Sequence, residues 1–170
     1  MNLRRWSAQP TIVTIVKMRI LARAIAVLTI ASAITLLAQS PGHSKEAELK
    51  LLESVNRARK EQGLPGLRWS DELAVAARKH AGVMAQHNAA EHGFPGEPGL
   101  AARATQAGAK FSWLSENVCQ GDRVEAIEQQ FMNSPKHRAN ILDSDMDSVG
   151  IGVVERGGQL FAVEDFAKAK

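Results

Sequence analysis

The sequence has only one cysteine, and this scarcity limits how the protein can be stabilised. Cys119 is the sole thiol among 170 residues, so no internal disulfide can form and the fold must rely on burial of apolar side chains. Cys119 lies in a segment that predicts a strand, where a free cysteine commonly behaves as a small apolar side chain. We therefore expect a buried thiol; a reactive thiol and an intermolecular disulfide are the alternatives.

The chain beyond residue 40 has no basic run and no interleaving of aromatic with basic residues. The whole sequence has a formal net charge of +3, but five of its 21 basic residues and none of its 18 acidic residues lie in residues 1–40. The remainder therefore carries a net charge of −2. This distribution of charge argues against nucleic acid as a partner.

Common catalytic signatures are also missing. No serine lies in a nucleophile elbow, and the sequence contains no His-Glu-x-x-His helix. Asp143, Asp145 and Asp147 alternate in a way that suggests calcium, but an EF-hand loop needs glycine and glutamate where Ser148 and Val154 stand. We therefore interpret the three aspartates as part of a solvated loop.

An apolar run near the N-terminus predicts an export signal. Residues 24–38 (AIAVLTIASAITLLA) are uncharged, follow several basic residues and lead into a small-x-small pattern at residues 38–40. A transmembrane helix needs about 20 such residues. We assign residues 1–40 to a signal peptide or an uncleaved N-terminal anchor, with Met18 as a candidate start. The protein is then exported, to the periplasm or the medium, and meets a membrane only through an uncleaved leader.

The rest of the chain predicts a linker over residues 41–47 and one domain over residues 48–170. Apolar residues recur at helical spacing from Lys45 to Gln62, and Ser70 can cap a second helix. Further predicted elements are short helices at residues 100–106 and from residue 135, a capping-box helix start at Asp122 and Glu125, a strand at residues 111–120, and a hairpin of residues 149–155 and 159–166.

Three polar residues in separate segments are candidates for a functional site. His92, Glu116 and His137 are 24 and 21 residues apart, so only the tertiary fold can bring them together. Two imidazoles and a carboxylate suit either a divalent metal ion or acid/base chemistry. Glutamate is unusual in a strand, which favours polar partners for Glu116. A structural carboxylate that accepts backbone hydrogen bonds is the alternative.

Two other histidines have different expected roles. His80 lies on the apolar face of the second helix, where a hydrogen-bonded core histidine is expected rather than a ligand. His87 falls at the expected end of the same helix, where an exposed imidazole complements the helix dipole. Neither is therefore assigned to the site.

The order of these residues resembles the CAP superfamily, the cysteine-rich secretory, antigen 5 and pathogenesis-related 1 proteins, in its short bacterial form without disulfides. The resemblance covers about residues 48–166 and rests on several short sequence motifs rather than on one. They include VNRAR at residues 55–59, GLPGLRW at 63–69, SPKHRANIL at 134–142 and VGIGV at 149–153. The resemblance implies an α/β fold, a three-layer α/β/α sandwich with a central antiparallel sheet.

The resemblance also implies that His92, Glu116 and His137 line one cleft. Ser134 stands where larger relatives carry a second cleft carboxylate, so the expected cleft of this chain has two histidines and one glutamate. Three such ligands with an open position would suit a weakly held divalent ion such as zinc.

The supporting residues and the function follow from the same resemblance. Asn117 is expected to hold the backbone in place. Arg138 and Asn140 are expected to stabilise the loop that contains them. The favoured function is a module that binds a small apolar or envelope-associated ligand or an ion, as the sterol and lipid binders of the family suggest. A metal-assisted hydrolase or protease that uses the same cleft is the main alternative, and a thiol enzyme built on Cys119 is a third.

Overall fold

The computed structural model describes residues 42–170. The expected signal segment, its cleavage position and the candidate start at Met18 lie outside the described residues. Within residues 42–170, no helix combines the length and the apolar character that a membrane span requires.

The described chain alternates helices with strands of very different lengths. In chain order the elements are β1 (Gly42–His43), α1 (Lys45–Glu61), β2 (Arg68–Trp69), α2 (Asp71–His87), α3 (Leu100–Gln106), β3 (Phe111–Gly121), α4 (Val124–Asn133), α5 (Pro135–Ile141), β4 (Ser148–Arg156) and β5 (Gln159–Ala169). Ser44 and Ser70 cap α1 and α2 by accepting hydrogen bonds from the main-chain nitrogens of Ala47 and Leu73.

The sheet is antiparallel apart from one short strand. Its order is β1-β4-β5-β3, and β2 pairs in parallel with the same edge of β4 that β1 occupies. β4 and β5 form the predicted hairpin, which turns at Gly157 and Gly158. Both glycines have positive φ, a conformation that side chains with a Cβ atom rarely adopt. β3 pairs along β5 and forms the other edge of the sheet.

Helices cover both faces of this sheet, which confirms the predicted three-layer sandwich. The first face carries α1, α4 and α5, whose buried residues include Leu51, Ile127 and Ile141. The second face carries α2, through Ala77, Ala81, Met84 and Ala85, and α3, through Ala104. Side chains of a strand alternate between the faces, so the long strands β3, β4 and β5 each contribute to both cores.

Cys119 is buried in the first of these cores, as expected. Burial raises the pKa of its thiol to about 11. A thiol with so high a pKa holds almost no thiolate at neutral pH, which fits the role of a small core side chain.

The structure differs from the predicted linker over residues 41–47. Gly42 and His43 pair with Glu155 and Val154 of β4, and α1 begins at Lys45. The edge of β4 supplies backbone partners that an unstructured linker would find only in water. Residues 42–47 therefore belong to the domain.

The predicted capping box at Asp122 and Glu125 was wrong. α4 begins at Val124, and its N-cap residue, Arg123, makes no side-chain capping hydrogen bond. Asp122 instead forms an exposed ion pair with Arg123, whose Nη1 atom lies 3.2 Å from Asp122 Oδ2. The start of α4 is thus displaced by one residue from the position that the box requires.

α2 lies very close to β4 because two glycines leave room for it. A Cβ atom added to Gly150 would lie 2.1 Å from the main-chain nitrogen of Ala74, and one added to Gly152 would lie 2.3 Å from that of Arg78. Such distances are far inside van der Waals contact, so the helix backbone rests directly on the strand. This contact sets the position of α2 and of the loop that follows it.

We expect Gly152→Ala to destabilise the domain, because α2 would have to move away from β4. Overpacking a core commonly costs about 1–3 kcal/mol, and chemical denaturation would measure the loss in the free energy of unfolding. Gly82→Ala is the matched control, since Gly82 lies in α2 itself. Apart from its immediate neighbours in the helix, a Cβ atom added to Gly82 would have no atom of residues 42–170 within 4 Å. Helix propensity should make that variant more stable by about 0.5–1 kcal/mol. If Gly152→Ala and Gly82→Ala changed the free energy of unfolding by similar amounts, the close contact between α2 and β4 would be contradicted.

Candidate functional site

Glu116 connects the residues of the candidate site, although its own side chain is buried. β3 directs it toward the face that carries α2 and α3, on which Val118 also lies. Its Oε1 atom accepts a hydrogen bond from His92 Nδ1 at 2.9 Å, and its Oε2 atom accepts one from Arg103 Nη2. Both oxygens of the carboxylate therefore have partners.

Arg103 of α3 neutralises this carboxylate and also holds the loop that carries His92. Its side chain is buried. Its Nη1 atom donates to the main-chain oxygen of Pro98 at 3.1 Å and to that of His92 at 3.4 Å. Hydrogen bonds from a charged donor are stronger than neutral ones, so one guanidinium fastens the loop to β3.

A second buried pair anchors the same loop to α2. His80 Nδ1 lies 2.7 Å from Glu97 Oε1, and His80 Nε2 lies 2.9 Å from the main-chain oxygen of Glu91. A carbonyl oxygen only accepts, so Nε2 carries a hydrogen and one more proton lies between Nδ1 and Glu97. The pair therefore has no net charge. His80 is fully buried, and the expectation of a hydrogen-bonded core histidine is confirmed.

His92 projects from this anchored loop into solvent. Its side chain is 62% exposed, whereas that of Glu116 is 3% exposed. Because the carboxylate accepts at Nδ1, the hydrogen of the neutral ring lies on Nδ1 and Nε2 keeps its lone pair. The buried carboxylate thus orients the imidazole with its basic nitrogen outward.

His137 approaches the same place from α5, in the opposite layer. Its ring stands edge-on to Phe131 with centroids 5.2 Å apart, and its Nδ1 atom is buried without a hydrogen-bond partner in residues 42–170. Burial lowers the pKa of His137, and its proximity to His92 lowers it further, because two protonated rings would repel each other. The ring of His137 is therefore neutral at pH 7.

Two asparagines hold α5 against β3. Asn117 Nδ2 donates to the main-chain oxygen of His137 at 3.2 Å and to Glu164 Oε2 at 3.1 Å. Asn140 Nδ2 donates to Asn117 Oδ1 at 2.9 Å and to the main-chain oxygen of Glu116 at 3.2 Å. These bonds tie the helix of one histidine to the strand that orients the other.

Ser134 and Arg138 flank His137 along the chain, at the start of α5 and within it. Ser134 joins α4 to α5 and makes no side-chain capping hydrogen bond. The side chain of Arg138 is exposed on α5. The end of α5 is held instead by Arg59 of α1, a fully buried residue whose Nη1 atom donates to the main-chain oxygen of Ile141 at 2.9 Å.

Two acidic residues of β5 lie beneath the site, one on each face of the sheet. Asp165 faces Glu116 across the strands, and Glu164 faces Asn117. Burial raises the pKa of Glu164 to about 8. Burial also raises the pKa of Asp165 well above its ordinary value, and the charge of Glu116 adds to this rise. Glu164 is thus mainly a neutral acid at pH 7, and burial of Asp165 favours its protonated form in the same direction.

These contacts bear on the predicted metal ligands His92, Glu116 and His137. In the part of the chain that the structure describes, no three His, Cys, Asp or Glu side chains are grouped to hold one ion. Glu116 directs its oxygens at His92 and Arg103, so it acts as an orienting group. The arrangement leaves two imidazoles that can accept hydrogen bonds from a ligand or bind an ion weakly.

The buried partners of the three central residues were not predicted from the sequence. Arg103 had a signal, because it stands in the alanine-rich helix segment LAARATQ. Glu164 and Asp165 also had one, because they are adjacent acids inside the otherwise apolar strand segment LFAVEDFA. Charged residues in such places are rarely buried unless they are paired, so each signal pointed to a polar partner without naming it.

A three-layer α/β/α sandwich around a mainly antiparallel sheet defines a class of protein fold, and comparisons with known proteins agree on that class. The cysteine-rich secretory protein family, CAP, matches residues 52–166. The chain therefore belongs to the CAP family, which confirms the resemblance seen in the sequence.

Curated relatives come from Bacillus subtilis. The uncharacterized protein YkwD is 29% identical over 119 residues, which cover 69% of this chain and 46% of that protein. The uncharacterized membrane protein YlbC is 29% identical over 109 residues, which cover 63% of this chain and 31% of that protein. The chain thus spans less than half the length of these relatives.

Solved structures show the same fold. An outer surface protein from Borrelia burgdorferi matches with a TM-score of 0.71 at 21% identity, over 78% of this chain and 99% of that one. An extracellular protein containing an SCP domain from Bacillus anthracis matches with a TM-score of 0.68 at 25% identity, over 74% of this chain and 41% of that one.

We expect Arg103→Met to destabilise the protein by about 3–5 kcal/mol, because the charge of Glu116 would be left buried without its partner. Urea denaturation would measure the change. The double variant Arg103→Met/Glu116→Gln removes the stranded charge and should recover much of the loss. A single variant as stable as the native protein would contradict a buried ion pair.

Glu164 should make stability fall as the pH rises. Its pKa is about 8 in the folded protein against an ordinary value of 4.5, so the unfolded chain releases its proton first. Between these values the free energy of unfolding falls by up to about 1.4 kcal/mol per pH unit. Glu164→Gln removes the contribution of Glu164 to this pH dependence. Asp165 remains, and its raised pKa also makes stability fall as the pH rises.

Thermal denaturation at pH 5 and pH 8 would measure this effect. Glu164→Gln should narrow the difference in Tm between the two pH values. Glu155→Gln, at an exposed position of β4, is the matched control and should keep the native difference. If Glu164→Gln showed the same difference in Tm between pH 5 and pH 8 as the native protein, the raised pKa of Glu164 would be contradicted.

Proposed function

We propose that this CAP-domain protein binds a small envelope-associated ligand at the edge of β3, with His92 and His137 as the groups that contact it. The His92–Glu116 hydrogen bond is the observation that supports this proposal. It points Nε2 of an exposed ring outward with its lone pair free. That nitrogen accepts a hydrogen bond from a hydroxyl or amide of the ligand.

The surroundings of His137 indicate the rest of the ligand. A neutral ring that packs on Phe131 presents an apolar surface rather than a charge. A ligand with one hydrogen-bond donor and an apolar body matches this pair, whereas a strongly anionic ligand would find no cation in His137. The ligand is therefore amphipathic and small.

An exported location is part of the same proposal. The apolar run at residues 24–38 has the pattern of a signal segment. Two structural relatives are an outer surface protein and an extracellular protein. Their likeness to this chain, together with the signal pattern, supports the periplasm or the medium as the place where the ligand is met.

A weakly held divalent ion such as zinc is the second candidate occupant. The lowered pKa of His137 favours it, because only a neutral imidazole binds a metal ion. Hydrolysis assisted by this ion would also need a carboxylate free to activate water. Glu116 uses both oxygens on His92 and Arg103, so catalysis is not part of the proposal.

The ligand proposal can be tested by nuclear magnetic resonance of the full chain. On addition of a detergent extract of bacterial envelope lipids, we expect the imidazole signals of His92 and His137 to shift together. His92→Ala should reduce the shift of the remaining ring. His43→Ala is the matched control, because His43 is exposed in β1 at the opposite edge of the sheet. Shifts confined to other residues would refute the proposed site.

Zinc alone tests the second candidate. Micromolar Zn²⁺ should raise the Tm of the native protein and of His43→Ala, but not that of His92→Ala or His137→Ala. If the native protein takes up no zinc under these conditions, or if His92→Ala keeps the full shift, the metal candidate fails.

A further inference from the structure

A second surface feature lies apart from the two histidines and concerns Trp113 of β3. Its side chain is 62% exposed, more than that of any other large hydrophobic residue in residues 42–170, of which Leu49 at 46% comes next. An indole ring that is exposed to water lacks the large favourable free energy that burial of its apolar surface would provide. Tryptophan is enriched at contact surfaces, so an exposed indole beside a pocket is a candidate for a contact with something outside the domain.

A β-bulge places Trp113 there. The register of β3 against β5 shifts between Phe111, which pairs with Ala169, and Trp113, which pairs with Lys168. Phe111 and Leu114 both pack on the same small core although they are three positions apart, which regular alternation forbids. The extra residue, Ser112, allows this, and it leaves two successive side chains exposed.

The exposed ring borders a pocket with polar walls. This pocket has a volume of about 440 Å³ and is lined by Ser112, Trp113, Asp143, Asp145 and Lys168. Its volume falls within the range of small-molecule sites. The walls offer a hydroxyl, two carboxylates and an ammonium group around one aromatic face.

The pocket carries charges of both signs close together. Lys168 Nζ lies 3.6 Å from Asp145 Oδ1, so a cation would meet an ammonium group already paired with the carboxylate. An anion would meet the carboxylates of Asp143 and Asp145. Asp143 Oδ1 accepts from the main-chain nitrogen of Asp145 at 2.9 Å and helps to hold the loop in place. The walls suit a neutral ligand with many hydroxyl groups.

We propose that the pocket at Trp113 binds a neutral oligosaccharide, with one sugar ring stacked on the indole. The C–H groups on the face of a sugar ring carry partial positive charge, and the face of an aromatic ring is negative. The hydroxyl groups at the rim of the sugar then bond to Ser112, Asp143 and Lys168, which supply both acceptors and donors. This inference does not rest on the histidine site.

The test uses the full chain and two defined probes, the tetrasaccharides of N-acetylglucosamine and of β-1,4-linked glucose. Titration calorimetry and tryptophan fluorescence should both detect binding of at least one probe. Trp113→Ala should weaken it by up to about tenfold, the loss expected when an aromatic stacking contact is removed. Trp113→Phe keeps a ring and should lose less.

Val75→Ala is the matched control, because Val75 is another exposed apolar residue, located on α2, and its substitution should leave binding unchanged. Circular dichroism and Tm would show that Trp113→Ala folds as the native chain does. Two outcomes would overturn the proposal: binding of neither tetrasaccharide at millimolar concentration, or equal binding by Trp113→Ala. Sedimentation would detect a third, self-association that Trp113→Ala abolishes, which would assign the ring to a contact with a second copy.

Discussion

The direct contact of α2 with Gly150 and Gly152 of β4 is the constraint on which one side of the molecule depends. Because no side chain separates helix from strand there, α2 has little freedom to shift or tilt. Its position sets that of His80, which anchors the following loop through Glu97 and the backbone of Glu91. The loop in turn presents His92 at the sheet edge, where Glu116 orients its ring.

Charged residues are buried beneath the site, and partner groups neutralise their charges. Arg103 pairs with Glu116 and His80 shares a proton with Glu97, so each buried pair is neutral overall. Glu164 of β5 reaches the same result by keeping its proton, and burial raises the pKa of Asp165 in the same direction. An apolar core of the same volume would commonly be at least as stable. Polar residues in such places are expected where function requires an oriented side chain.

The site forms where the two helical layers meet around the open edge of β3. Glu116 faces the layer of α2 and α3, while Asn117 faces the layer of α5, because successive strand residues point in opposite directions. Asn140 joins the two by donating to Asn117 and to the backbone of Glu116. These bonds also cover part of an edge that could otherwise pair with another chain.

Local patterns in the sequence determined most elements of the described domain, since periodicity, serine caps and the glycine turn act over a few residues. Ser70 before α2 and the hairpin at Gly157 and Gly158 are examples. Even short-range signals failed where a neighbour competed, as when Arg123 took the side chain of Asp122. Tertiary structure alone decided that Arg103 meets Glu116, that Asp165 lies beside it, and that β1 joins β4. Those contacts join residues far apart in the chain, and which partners meet depends on the packing of all the layers together.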